Sequence, residues 1–302
     1  ASVEKVRTGA FTFAMSIKKI EGGNDFFETV DGMLIRKADR ALMHYPSFVQ
    51  QGQAAKPIEL PSDIKKIERY AFAFNFVPQG LVLPESLEEL EDYAFNGAAN
   101  IVKLKIDHCK ALKRIGNFCF KGCFRLASFD LPKKGVTFIG EQALQGTAIV
   151  SLNIPTNVQI GANAFRGCQS IANVFSFNTV PPVLDDLAFS DIVEIEQATL
   201  HVPFGTKAAY SQAPGWKIFT NIVEEDLLSV DEVTLDNVLF AAQGEALSIS
   251  GLNSAQILVY NLEGKMLVEA NAHEAITLNL GRGHYIVVVS QEGKRIVKKI
   301  AL

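Results

Sequence analysis

A three-position unit recurs along the first three-quarters of the chain, and it limits the fold more than any other feature. The unit is an aliphatic residue, a small residue four places on, and then a large apolar anchor. It occurs as Val6/Ala10/Phe11, Ile67/Ala71/Phe72, Leu90/Ala94/Phe95, Ile115/Cys119/Phe120, Ile139/Ala143/Leu144, Ile160/Ala164/Phe165 and Leu184/Ala188/Phe189. After one long step of 61 residues from Phe11 to Phe72, the anchors follow at 23, 25, 24, 21 and 24. A fixed period near 23 residues is the mark of a solenoid and outranks any local motif.

A second signal is locked in phase with the first. Leu81/Leu83 before Pro84, Leu104/Ile106, Phe129/Leu131 before Pro132, Leu152/Ile154 before Pro155 and Leu200/Val202 before Pro203 are apolar-x-apolar pairs. Alternation over three residues reads as a short, half-buried strand. A proline after it removes a donor and ends the ladder. The small residue before each anchor is expected where backbone packs too closely for a larger side chain. One unit buries too few side chains to offset the entropy of ordering its own backbone. Units must therefore stack and share one core.

The segments Ile115-Gly116-Asn117-Phe118-Cys119-Phe120-Lys121-Gly122-Cys123 and Leu152-Asn153-Ile154-Pro155 resemble the unit of the BspA-type bacterial leucine-rich repeats. The resemblance covers roughly residues 1–225. It implies a mainly β fold, a right-handed solenoid of about seven repeats with short helical or 3-10 corners. It also implies a secreted or cell-surface location and non-catalytic, adhesin-like binding of a protein, such as a host or matrix protein. The motif residues are core and corner positions, so they say nothing of the ligand.

Within the solenoid, the long step holds Phe26–Pro46, which reads as two strands around a polar turn at Asp31-Gly32. In the same family an insertion at 26–46 looks like a hairpin laid on one side of the solenoid. Gln50–Lys56 reads as a polar connection. Residues 198–222 read as a C-terminal cap, with a last strand at Thr199–Pro203, a helical stretch N-capped by Thr206, and Trp216. A terminal repeat must close the core with something atypical; Trp216 as a ligand platform is the competing reading. The chain opens at Ala1 nearly in repeat register, as expected of a mature or trimmed start with its signal peptide removed.

From Leu227 the period changes to two. Ala246–Ser250, Ala255–Tyr260 and Tyr285–Val289 read as strands, with turns at Glu263-Gly264, Gly281-Arg282-Gly283 and Glu292-Gly293. Short strands with closely spaced turns predict an Ig-like antiparallel β-sandwich over 227–302. Val259–Lys265, Gly283–Val287 and Lys298–Leu302 make this tail similar to the C-terminal sorting domains of type IX secretion substrates. That similarity implies export and surface delivery; a plain second domain is the alternative.

The formal net charge of −4 argues against nucleic acid, which needs a basic face. No apolar run approaches the roughly 20 residues of a membrane span. Four cysteines in 302 residues are not a disulfide framework. No phosphate loop, nucleophile elbow or metalloprotease motif is present, and no cofactor is expected. His108, Cys109, Cys119 and Cys123 are residue types that suit zinc. Cys119 and Cys123 also fall on packing positions of the repeat, where a thiol acts as a small hydrophobe. A Cys109–Cys123 disulfide is a further alternative.

What remains is surface. Residues between the members of each apolar pair point away from the core, onto the concave sheet. Those rows give the candidate binding residues Lys19, Glu21, Glu59, Lys103, Lys105, Ser128, Asp130, Ser151, Asn153, Asn173, Phe175 and His201. Val82 and Thr199 share the rows, as do Pro57 and Gly80. Extended concave faces are how solenoids bind partners, and a protein partner is expected. A glycan-binding role would be favoured by exposed aromatics in a row, of which Phe175 is the one candidate. A structural envelope or spacer role is the remaining class.

Overall fold

In the computed structural model, the repeat period becomes a stack of short parallel strands. The structure describes residues 3–7, 9–12, 17, 19–46, 59–74, 81–225, 227, 238–261, 265–291 and 294–302. The connection at 50–56, Pro57, Gly80 and the predicted turns at 263–264 and 292–293 lie outside the described residues. The chain divides into two compact units, residues 1–227 and 228–302.

The first unit opens with an antiparallel meander of β1 (Phe27–Val30), β2 (Met33–Arg36) and β3 (Ala41–His44). The repeats follow as β4 (Lys66–Ile67), β5 (Glu89–Leu90), β6 (Lys103–Lys105), β7 (Arg114–Ile115) and β8 (Ser128–Asp130). They continue as β9 (Phe138–Ile139), β10 (Ser151–Ile154), β11 (Gln159–Ile160), β12 (Asn173–Ser176), β13 (Thr199–Pro203) and β14 (Asn221–Glu225). The first face is one sheet in the order β1-β2-β3-β4-β5-β7-β9-β11. The second face is formed by β6-β8 and β10-β12-β13-β14, parallel throughout.

The alternation that predicts each strand also sets its burial. Ile67, Leu90, Ile115 and Ile139 point inward from the first face, and Leu104, Phe129, Leu152, Val174 and Leu200 from the second. Between the faces runs a third ladder, at the anchors. Phe72 N donates to Ala94 O, Phe95 N to Cys119 O, Phe120 N to Ala143 O, Leu144 N to Ala164 O and Phe165 N to Ala188 O, at 2.7–3.1 Å. The small residue thus supplies the carbonyl that joins one repeat to the one before it. Its side chain is buried in every described copy from Ala71 to Ala188. The anchors form a column in which Phe72, Phe95 and Phe120 stack at centroid distances of 4.6 and 5.0 Å. Gly161 marks how close the repeats come: a Cβ there would lie 2.3 Å from Glu141 N.

The long step from Phe11 to Phe72 conceals an anchor. Tyr45 stacks on Phe72 at 4.8 Å, and its N–H donates to Ala71 O, as a regular anchor does. The 26–46 segment does not lie to one side of the solenoid. Its third strand pairs in parallel with β4, so the meander is the antiparallel end of the first face. Among the described residues, the corners are mostly runs of hydrogen-bonded turns, with one 3-10 helix at Ile195–Gln197 and one α-helix, α1 (Lys207–Gln212).

His44 sits beside Tyr45 on β3, 4% exposed, against the Phe11 ring at 4.9 Å. Its Nε2 has no hydrogen-bond partner among the described residues. Burial lowers its pKa from 6.5 to about 4. The unfolded chain therefore takes up this proton first, and stability should fall as pH drops from about 6.5 to 4. The shift corresponds to roughly 3 kcal/mol. Glu68, raised chiefly by burial, works in the opposite direction near its own ordinary range. The check is urea unfolding at pH 7 and pH 4.5. The drop between them should be clearly smaller in His44→Phe; an equal drop would remove His44 from the account.

The cap closes the column. Trp216 and Phe219 are buried against Phe189, and Tyr210 is buried against Trp216. Trp216 Nε1 donates to Pro182 O at 2.7 Å, and Tyr210 Oη donates to Asn178 O at 2.8 Å. With no exposed surface, Trp216 is a core residue and not a ligand platform. Thr206 precedes α1 but does not cap it through its side chain; its hydroxyl donates back to Pro203 O at 2.7 Å.

The second unit holds two antiparallel sheets. One is β15 (Leu239–Gln243), β16 (Ala246–Ser250) and β19 (Ala275–Asn279). The other is β18 (Met266–Ala272), β17 (Ala255–Asn261), β20 (His284–Gln291) and β21 (Lys294–Ala301). Leu247 and Ile249 from the first meet Ile257, Val259, Val287 and Val289 from the second in one core. Gly283 and Leu302 exchange backbone hydrogen bonds at 3.0 Å, so the last residue is held in the sandwich.

Candidate binding face

The second face displays two adjacent rows of outward side chains. Lys103 pairs in register with Ser128, and Lys105 with Asp130. Ser151, Asn173, Thr199 and Asn221 form one row of the next sheet; Asn153, Phe175, His201 and Val223 form the other. Isolated parallel bridges place Val82 beside Lys105 and Glu59 beside Val82. Val150 N donates to Ala127 O at 3.2 Å, which carries the face across from β8 to β10.

Ten of the sequence candidates thus share one face. Lys19 and Glu21 do not. They lie in no strand and form an ion pair with each other beside the β1–β2 turn. Ile20 N donates to Gly32 O at 3.2 Å, so the meander takes this segment before it can join the second face. β14 is part of the face that sequence reasoning missed. In the sequence, Asn221–Asp226 reads as the boundary between the two domains, yet over Asn221–Glu225 Ile222 is buried while Asn221 and Val223 stay exposed. The alternation around Ile222 was the available signal.

The face has two chemically different halves. Toward β6 and β8 it is charged. Glu59, Lys103, Lys105 and Asp130 are exposed and make no ion pair among the described residues, with Val82 among them 44% exposed. Toward β10–β14 it is mostly neutral, made of amides and hydroxyls around Phe175, with the Glu225 carboxylate set against His201. His201 stacks on Phe175 at 4.2 Å with ring planes 13° apart. The His201 ring is fixed at both nitrogens, Nδ1 lying 2.7 Å from Glu225 Oε1 and Nε2 3.1 Å from Asn173 Oδ1.

The first face differs. Arg36 pairs with Asp39 and Glu68, Arg40 with Glu28 and Asp63, and Lys66 with Glu89 and Glu91. Arg69 pairs with Asp92, and Arg114 with Glu89 and Asp92. A polar recess between Arg69 and Arg114 is lined by these same groups, which hydrogen-bond one another across it. Beside it Tyr70, Tyr93 and Phe118 stack at 5.1 and 4.7 Å, all at left-handed φ of 56–65°. Sequence reasoning missed this row, although each member stands two residues before an anchor. The stack occupies ring faces, so it serves the corner and offers no open platform.

The thiols are core groups. Cys123 Sγ donates to Phe95 O at 3.2 Å and Cys168 Sγ to Leu144 O at 3.1 Å, each reaching the anchor of the preceding repeat. Burial pushes Cys109 and Cys168 up to about 11 and Cys123 to about 12, with Cys119 also well above its ordinary value. Such thiols are poor nucleophiles and poor metal ligands. All four are free, so Cys109 and Cys123 form no disulfide here. His108 Nε2 lies 2.7 Å from Leu83 O. Among the described residues, no group of three or more His, Cys, Asp or Glu is placed to hold a metal ion. Among them, too, no helix is long and apolar enough to cross a membrane.

Comparison with known families finds the BspA type leucine rich repeat region in six copies over residues 46–203, just over half of the chain. No curated protein matches. Similar solved structures include the pneumococcal vaccine antigen PcpA, at 20% identity over 69% of this chain and 50% of that one, with a TM-score of 0.44. A leucine-rich repeat protein from Eubacterium ventriosum is 17% identical over 76% and 58%, with a TM-score of 0.40. A leucine rich cell surface protein from Faecalibacterium prausnitzii is 17% identical over 54% and 57%, at 0.28. The chain spans between half and three-fifths of the length of these neighbours.

Proposed function

The chain belongs to the BspA-type leucine-rich repeat family, and on that premise we propose that it is a non-catalytic binding protein whose second face takes a protein partner. One observation carries the reading. From β2 to β7 the charges of the first face pair with each other, whereas Glu59, Lys103, Lys105 and Asp130 on the second face have no ion-pair partner among the described residues. Unpaired charges on a regular parallel sheet, with an exposed valine among them, suit complementary charge on a partner, which sets orientation and association rate. The partner is expected to be a host or matrix protein, with carboxylates placed to meet Lys103 and Lys105.

The test is a binding screen of the full chain against extracellular-matrix proteins, run beside the Lys103→Glu, Lys105→Glu double variant. A protein ligand should lose at least about tenfold in affinity, or about 1.4 kcal/mol. Undiminished binding would move the site off this face. Absence of any protein ligand would favour a structural role in the envelope.

We further propose that the chain works at the cell surface or outside the cell, delivered by residues 228–302 as a sorting domain. The support is the resemblance of Val259–Lys265, Gly283–Val287 and Lys298–Leu302 to type IX sorting domains. In a bacterium with that secretion system, an unrelated cargo fused to 228–302 should reach the outside. Retention in the periplasm would leave the unit as a plain second domain.

A further inference from the structure

The neutral half of the second face contains a notch that the protein-binding reading leaves unused. Phe175 rises from β12 between His201 on β13 and Asn153 on β10. Its ring is stacked on His201 with nearly parallel planes, so its opposite face looks toward β10. There the register partner is the shorter Asn153. The Asn153 amide is turned away from Phe175, its Nδ2 donating to Leu131 O on the preceding repeat at 3.0 Å. Phe175 is half-buried, its neighbour on the β10 side is the shorter Asn153, and the Asn153 Oδ1 accepts no hydrogen bond among the described residues. Ser151, exposed on the same strand, adds a hydroxyl, and Asn173 borders the notch on the other row.

The ring is also held in place. His201 backs it, and Glu225 and Asn173 fix the His201 ring at its two nitrogens. A pre-positioned aromatic face costs little entropy to use. The groups around it are amides and hydroxyls, which both donate and accept. The one carboxylate in the cluster, Glu225, lies against His201. The lysines that mark the β6–β8 half have no counterpart in these rows of β10–β14.

We propose that this notch is a subsite for one neutral sugar residue, whose apolar C–H face stacks on Phe175 while its hydroxyls bond to Asn153, Ser151 and Asn173. Fixed rings beside convergent polar groups are the general form of a small-ligand site. Neutral hydroxyls match this half, whereas an acidic sugar would meet no cation in the notch. The inference rests on the second face being the binding face. It differs in ligand class from the protein contact assigned to Lys103 and Lys105. The sugar could come from a polysaccharide or from a glycoprotein, and both offer the same chemistry.

The test is calorimetric titration of the full chain with mannan, a galactan and a β-glucan, with hyaluronan as an acidic comparison. A glycoprotein, with and without enzymatic removal of its glycans, distinguishes the two sources. At least one neutral glycan should bind. Phe175→Ala and Asn153→Arg should each weaken it by about tenfold or more; Asn153→Arg fills the notch without opening any core. Lys103→Glu with Lys105→Glu should leave it unchanged. That pattern supports the subsite even if no protein ligand is found. Neutral glycan binding that survives Asn153→Arg, binding of hyaluronan alone, or no glycan binding at all would overturn the subsite and leave the protein-binding reading standing.

Discussion

Replacing Phe95 by Ala should lower the free energy of unfolding by about 3–5 kcal/mol. The ring is fully buried and stacked between Phe72 at 4.6 Å and Phe120 at 5.0 Å. The loss has two parts, the transfer of the removed atoms and the cavity left behind. Each aromatic pair contributes about 0.5–1.5 kcal/mol beyond its buried area, and two pairs vanish together. The site cannot collapse easily, because the anchor backbone on both sides is fixed by the Phe72–Ala94 and Phe95–Cys119 hydrogen bonds. Phe165→Ala is the informative comparison. Phe165 stacks on Phe189 at 5.1 Å but has Leu144 in the column on its other side. Its loss should be smaller than that of Phe95 by about 1 kcal/mol. Urea unfolding of the full chain measures both. A loss below about 1 kcal/mol at Phe95 would mean that the anchor column is not what holds the repeats together.

The second large effect is expected at the cap. Trp216→Ala should cost about 3–5 kcal/mol, although the residue lies beyond the last regular repeat. Its indole fills the end of the column against Tyr210 at 5.2 Å and Phe189 at 6.0 Å. Its removal also strands the Pro182 carbonyl that accepts from Nε1. In a solenoid each repeat is stabilised mainly by its neighbours, so an uncapped end frays inward. Hydrogen exchange should therefore rise first along β13 and β14, then along β12, while β5 and β7 stay protected. Trp216→Phe should recover the packing but not the hydrogen bond, and so recover only part of the loss. Uniform exchange across all repeats would point to global destabilisation and against an end cap.

The solenoid was legible because steric demand repeats. Ala94, Ala143 and Ala164 stand where only a small side chain fits beside a carbonyl that must reach the preceding repeat. A period of about 23 residues carries that constraint openly. Tyr45 was hidden because its corner is shorter. Leu42, which pairs with Ile67, precedes Tyr45 by three residues, whereas Ile67 precedes Phe72 by five. Lys19 and Glu21 were misplaced for the same reason, since the meander interrupts the period just after them.

The candidate face was legible in its rows, because alternation decides which side chains leave the core. Its division into halves was not. The notch depends on Asn153 leaning one way and His201 backing Phe175 from the other, and both are tertiary facts. The pairing on the first face left a trace that could be read. Lys66–Glu89 and Arg69–Asp92 are opposite charges 23 residues apart, one period exactly where stacked repeats bring them together.

The most direct test of the account is a hydrogen-exchange footprint of the full chain with and without a protein ligand recovered from the matrix-protein screen. Protection is expected along β6, β8 and the bridge at Val82, with β4, β5 and β7 unchanged. Protection confined to β4, β5 and β7, or to residues 238–302, would contradict the assignment of the second face as the binding surface.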